Sequence, residues 1–111
     1  MRRTIMLVDS STMRQPFVQE LLSELGEVKQ YNDAPEALAA IKHGAKVDAL
    51  VVGYRLSTGP IIHAVRHHNP KAVIIAFGMP RPDVPPGVDR YLIKPILAIE
   101  VRAILEQMLG G

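Results

Sequence analysis

The sequence lacks cysteine altogether, so no disulfide can staple the fold and no thiolate can bind a metal. That absence fits a reducing compartment. Long apolar runs are also missing. After Met1-Arg2-Arg3 only Thr4 to Val8 are fairly apolar before Asp9 intervenes. A secretion signal needs a longer stretch and a small-residue cleavage site. Nothing approaches the roughly 20 apolar residues of a membrane span. A soluble cytoplasmic protein is expected. Charge of one sign is scarce too, with 13 basic against 11 acidic side chains and a formal charge of +2. Nucleic-acid binders cluster their cations in a stripe. Here the basic residues are spread out, apart from a modest patch between His63 and Lys71. Neither nucleic acid nor a membrane is expected as a partner.

What the chain does have is a 48% apolar content over 111 residues, enough for a core. It carries no internal repeat, linker or low-complexity tract, and reads as a single domain over residues 1–111. Gly110-Gly111 suits either a natural end or a cut.

Short apolar runs alternate with helical patterns. Thr4 to Val8 is a continuous run, as in a strand covered on both faces, and Asp9-Ser10-Ser11-Thr12 can turn the chain and cap a helix. Met13, Phe17, Leu21, Leu22 and Leu25 then follow at helical spacing, with Pro16 in the first turns and Gly26 as the stop. Residues 27–31 read as a weaker strand. Asn32-Asp33-Ala34-Pro35-Glu36 is a helix start, and its helix runs through Ala37, Leu38 and Ile41 to Gly44. Val47 to Val52 is the third strand. Gly59-Pro60 opens a helix with Ile61, Ile62 and Val65 on its apolar side, and Asn69-Pro70 stops it. Ala72 to Phe77 is the fourth strand.

The next segment, GMPRPDVPPGVDR, holds four prolines and two glycines in 13 residues. Its prolines remove donors and push the preceding residues out of the α region. No regular helix longer than one turn is expected over 79–87. Tyr91 to Ile93 is a short fifth strand, closed by Lys94-Pro95. A last helix runs from about Ile96 to Leu109 with a stripe of Leu97, Val101, Ile104, Leu105 and Met108, expected to face the sheet. Five strands alternating with helices, one helix slot degraded, predict an α/β doubly wound parallel sheet with right-handed crossovers.

Such a sheet places functional groups at the carboxyl ends of its strands. Those ends carry Asp9-Ser10, Gly53, Phe77-Gly78 and Lys94-Pro95. Three stretches, IMLVDSS, VDALVVG and GVDRYLIKPI, resemble the receiver domain of bacterial two-component response regulators (CheY-like). The match spans nearly the whole chain, and the last stretch is the most specific. The 44-residue step from Asp9 to Gly53 is also that family's spacing. The resemblance implies a flavodoxin-like strand order of 2-1-3-4-5.

Carried over position by position, the resemblance implies a degenerate pseudo-receiver lacking the phospho-acceptor aspartate. Asp9 matches the first acid of the family's metal-binding pair, but Ser10 stands where the second belongs. Gly53 stands in the place of the nucleophilic aspartate. Phe77 takes the position of the hydroxyl residue that contacts the phosphoryl group. Lys94 is in place, and Tyr91 matches the switching aromatic. Receiver chemistry needs a carboxylate nucleophile, carboxylate-held Mg²⁺, a cation and a sensing hydroxyl. Most of this set is replaced. Gly53 is then either a vacated site or a bend at the strand end. Tyr91 is either a fixed packing residue or an exposed contact for a partner.

The expected function is a non-enzymatic, phosphorylation-independent signalling and protein-interaction module, with no cofactor and no metal. Its partner would be a signalling protein or a second copy. Two alternatives stand beside it. One is a flavodoxin-like phosphate or nucleotide binder that uses the hydroxyls after the first strand, although Asp9 would repel phosphate and no glycine-rich loop is present. The other is a regulator phosphorylated elsewhere, on Ser10 or Asp48. Asp9 and Lys94 form either a remnant metal and phosphate site or a local ion pair; one carboxylate is a poor Mg²⁺ site, which favours the pair. His63 and His67 are spaced to share a metal, with His68 adjacent, but no third ligand joins them, so they read as a solvated basic face.

Overall fold

A computed structural model describes residues 3–8, 16–31, 33–55, 58–93 and 97–109. The elements are β1 (Arg3–Val8), α1 (Pro16–Ser23), β2 (Gly26–Tyr31), α2 (Ala34–Lys42), β3 (Ala49–Gly53), α3 (Gly59–His68), β4 (Val73–Gly78), β5 (Arg90–Ile93) and α4 (Ala98–Leu109). All ladders are parallel and the sheet order is β2-β1-β3-β4-β5. The doubly wound sheet expected from the sequence is present.

The continuous apolar runs explain why the central strands lie in the middle. Every residue of β3 and β4 is buried. Successive side chains point to opposite faces of a strand, so each run feeds two cores. Ile5, Leu7, Ala49, Val51, Val73, Ile75 and Phe77 meet Leu22 of α1 and Val101, Ile104 and Leu105 of α4. Met6, Val8, Leu50, Val52, Ile74 and Ala76 meet Ala37 and Ile41 of α2 and Ile61, Ile62 and Val65 of α3. The edge strands β2 and β5 are only partly covered.

Local chemistry sets the element ends. Asp33 caps α2 in an extended conformation, and its carboxylate accepts the Glu36 N–H at 2.9 Å. Thr58 is fully buried at the start of α3, where its hydroxyl accepts the Arg55 N–H and donates to the Arg55 carbonyl, each at 2.9 Å. Asn69 follows α3 and donates its side-chain amide to the Val47 carbonyl at 3.0 Å. Asp48, before β3, accepts the Thr4 N–H at 2.8 Å. The loops are thereby tied to the strand starts.

Two expectations need correction. Gly26 does not end α1; the helix stops at Ser23, and Gly26 opens β2 opposite Arg3. A Cβ there would lie 2.3 Å from the Arg3 carbonyl oxygen, so the close approach of the two strands requires glycine. The stripe of the last helix is also narrower than expected. Ala98, Val101, Ile104 and Leu105 are buried, but Leu97 is 61% and Met108 39% exposed. Leu97 precedes the helix, and its carbonyl accepts the first helical N–H groups from Glu100 and Val101. Met108 sits beside Arg3, Asp48 and Val73, where α4 overhangs the starting edge of the sheet.

Between β4 and β5 no helix forms, as the prolines demand. Residues 79–89 run as a strap held by Arg66 of α3. Its guanidinium donates to the carbonyls of Pro70, Ala72 and Gly87 at 2.8 Å and to the Asp89 carboxylate at 3.0 Å. Asp89 in turn accepts the Ile74 N–H at 2.7 Å. The strap is thus fixed to α3 and β4 without helical structure of its own.

Candidate functional site

The carboxyl rim of the sheet is formed by the ends of β1, β3, β4 and β5. Register places Val8 beside Val52, Gly53 beside Phe77 and Gly78 beside Ile93. Asp9, Ser10 and Lys94 lie outside the described residues, as do Ser11 and Thr12. The structure therefore speaks to Gly53, Phe77 and Tyr91.

Gly53 is buried at the last position of β3. Ala49 and Val51 face the core shared with α1 and α4. The period of two puts position 53 on that same side. Phe77, its ladder neighbour, points there as well and is 2% exposed. An aromatic ring thus fills the space that polar side chains at these two positions would share. Neither residue offers an oxygen beyond its main chain. The Phe77 carbonyl is itself engaged, accepting the Tyr54 N–H at 2.8 Å.

Tyr91 points to the opposite face and packs partly buried against the α2/α3 core. Its hydroxyl donates to the Met79 carbonyl at 2.5 Å. The ring meets Tyr54 edge-on, with centroids 6.2 Å apart at 84°. Arg81 covers both rings, its guanidinium carbon 4.7 Å from the Tyr54 centroid and 5.8 Å from that of Tyr91. The Arg81 Nε also donates to the Asp83 carbonyl at 2.9 Å. Gly78 makes this arrangement possible, because a Cβ there would stand 2.8 Å from the Tyr91 hydroxyl. A cleft of about 330 Å³ opens between α3 and the strap, bordered by Tyr54, Ile62, His63 and Pro86.

Sequence reasoning singled out Tyr91 but missed Tyr54, Arg81 and the Arg66–Asp89 tie. Tyr54 had a visible signal, an aromatic directly after the strand-ending glycine. Arg66 falls within the modest basic patch between His63 and Lys71, with no local signal of its tie to the strap. His63 and His67 stack with centroids 6.5 Å apart, and His67 meets His68 edge-on at 5.6 Å. Among the described residues no group of three or more His, Asp or Glu side chains is arranged to hold a metal ion. Asp48 stands at the opposite end of β3 from Gly53, with its carboxylate occupied by the Thr4 N–H and by Lys46 at 3.6 Å. No helix among the described residues is long and apolar enough to cross a membrane.

No family model and no curated protein matches this chain in sequence. Solved structures do match in shape. The response regulator DrrB of Thermotoga maritima, an OmpR/PhoB homologue, superposes with a TM-score of 0.81 at 21% identity, covering 99% of this chain and 54% of that one. A response regulator receiver protein from Sinorhizobium medicae WSM419 gives 0.76 at 21% identity, over 99% of this chain and 96% of the other. A structure named adenylate cyclase, from Rhodopirellula baltica, gives 0.75 at 22% identity, over 99% and 89%. At these identities the likeness is one of architecture. With five parallel strands in the order β2-β1-β3-β4-β5, the chain has the flavodoxin-like fold of response-regulator receiver domains.

Proposed function

We propose that this protein is a phosphorylation-independent pseudo-receiver, a cytoplasmic module that binds other proteins in a two-component-type pathway and catalyses no reaction. The observation that carries this reading is the pairing of Gly53 with a buried Phe77 across the β3–β4 ladder. Phosphoryl transfer needs an oxygen nucleophile, and a glycine side position has none. A sensing hydroxyl is equally lacking at Phe77. In the sequence, Ser10 replaces the second carboxylate, and Mg²⁺ does not readily give up its waters for so few ligands.

The surroundings of Tyr91 support the same reading. A switching aromatic needs two positions of similar energy and a ligand that tells them apart. Here the Met79 carbonyl, the edge of Tyr54 and the Arg81 guanidinium all favour one position. A ligand with no preference between two states shifts no population. Such a module signals through its abundance, its location or the state of its partner.

The test is an amide NMR titration with Mg²⁺ and beryllofluoride, followed by Mg²⁺ with acetyl phosphate. Unchanged spectra are expected. Saturable shifts clustered around Gly53, Phe77 and Tyr91 would overturn the proposal and point to a working phosphate site. Gly53→Asp with Ser10→Asp is expected to restore some Mg²⁺ binding, yet no switching while Phe77 remains.

A further inference from the structure

The opposite rim, where β1, β3 and β4 begin and α2 and α3 end, carries features that this reading leaves unused. It presents Arg3, Lys42, Lys46 and Lys71, all exposed, together with exposed His43, His67 and His68. The carboxylates at this end are largely occupied. Asp48 serves Lys46, Glu27 pairs with Lys29 at 3.5 Å, and Arg102 holds Glu24 at 2.8 Å and Glu106 at 3.8 Å. Arg3, Lys42 and Lys71 have no carboxylate partner among the described residues. Lys42 and the histidines offset the negative carbonyl ends of α2 and α3. Arg3 and Lys71 lie on a strand and a turn, beside Met108 and Leu109 at the end of α4.

Two hollows lie among these cations. One, of about 290 Å³, has an apolar floor of Ile41, Val47 and Val65 and is rimmed by Lys46 and His68. The other, of about 310 Å³, is bordered by Val73, Met108 and Leu109, by Arg3 and Lys71, and by Asp48, whose carboxylate is engaged by Lys46 and the Thr4 N–H. Asn69 borders both hollows. Its amide is fixed, donating to the Val47 carbonyl at 3.0 Å and accepting the Lys71 N–H at 3.2 Å. The ridge between the hollows is therefore rigid.

We propose that this rim docks an acidic segment of a partner protein, with carboxylates against the cations and two apolar side chains seated either side of Asn69. The complementarity excludes the other common polyanions. Nucleic acid is held by many phosphate contacts and by stacking on aromatic side chains. Among the described residues the unpaired cations are few, and His68 is the only ring bordering either hollow. An anionic membrane is met by protruding apolar side chains, not by hollows. The inference rests on the reading of the protein as a protein-binding module and adds the surface and the partner's chemistry. The apolar side chains supply most of the affinity, and the charges set its orientation and salt dependence.

The test uses three probes: a synthetic peptide of Glu and Asp residues with two leucines, the same peptide with glycines for the leucines, and a short duplex DNA. Amide shifts are followed at Lys46, Asn69 and Lys71. The leucine peptide is expected to give saturable shifts there, with binding at least ~10-fold weaker for the glycine peptide and for Lys42→Glu with Lys71→Glu. Neither lysine makes an ion pair among the described residues, and Lys42 loses only its exposed interaction with the end of α2, so that variant should keep the amide dispersion of the parent. Should it not, weakening of the parent's binding by added salt serves the same purpose. No saturable shift, shifts at the carboxyl rim instead, or tighter binding of the duplex would each overturn the proposal. Spectra that ignore beryllofluoride and also ignore the peptide remove this docking site alone. A beryllofluoride response removes the phosphorylation-independent reading instead, whatever the peptide does.

Discussion

At the carboxyl rim the Arg81 charge lies over the faces of Tyr54 and Tyr91, while at the amino rim Lys71 and Arg3 are exposed and form no ion pair among the described residues. Among the described residues of the first rim, Phe77 fills the space beside Gly53, and the Tyr91 hydroxyl is taken by the Met79 carbonyl. The second keeps apolar hollows and unneutralised charge. A surface whose polar groups are all satisfied internally has little left to offer a ligand. One that keeps cations unpaired still has binding energy available. Among the described residues the space beside Gly53 is thus closed at one end of the sheet, with the Tyr54 cleft next to it, while the other end is open and carries exposed cations.

The largest expected effect lies at the closed rim. Phe77→Ala removes a fully buried ring from the α1/α4 core and should cost about 3–5 kcal/mol in urea unfolding. A loss below ~1 kcal/mol would show that the space beside Gly53 is not tightly filled. An intermediate effect is expected for Asp89→Ala, which leaves the Ile74 N–H without its acceptor and removes one of the four acceptors of Arg66. Asp89 is about one-third exposed, so a loss of about 1–2 kcal/mol is expected, with faster amide exchange through residues 79–88. The smallest effect belongs to the open rim. Lys71→Ala should change stability by no more than ~0.5 kcal/mol, since its side chain holds nothing in the fold. A cost near that of Asp89→Ala would remove the contrast between the two ends.

Much of the fold is legible in the sequence because the signal is local. Ala72 to Phe77 is continuously apolar, and only a strand covered on both faces accommodates such a short run. Pro80, Pro82, Pro85 and Pro86 rule out a helix by their own covalent geometry, and the structure has none there. Errors arose where a residue's role depends on a distant neighbour. Gly26 looks like a helix stop until the approach of Arg3 is known. Leu97 and Met108 continue the apolar period of α4 but fall beyond what the sheet covers. The tie of Arg66 to Asp89 spans 23 residues and has no local signature. Of the candidate site, Gly53, Phe77 and Tyr91 were identifiable through the resemblance. The stacking of Arg81 on two tyrosines could not be read, because the strap that delivers it has no regular period.

The strap's attachments have an evolutionary consequence. Within the strap Arg66 holds one main-chain carbonyl, that of Gly87, and one carboxylate, that of Asp89, and Tyr91 grips a further main-chain carbonyl, that of Met79. Such tethers hold a path through space and are indifferent to most of the side chains along it. Apart from Arg81, the buried Pro85, Gly87, the core-packed Val88 and Asp89, the strap is therefore free to drift. Substitutions there can accumulate at little cost to the fold. The fold thereby keeps a segment, tied at both ends, on which new recognition can be tried.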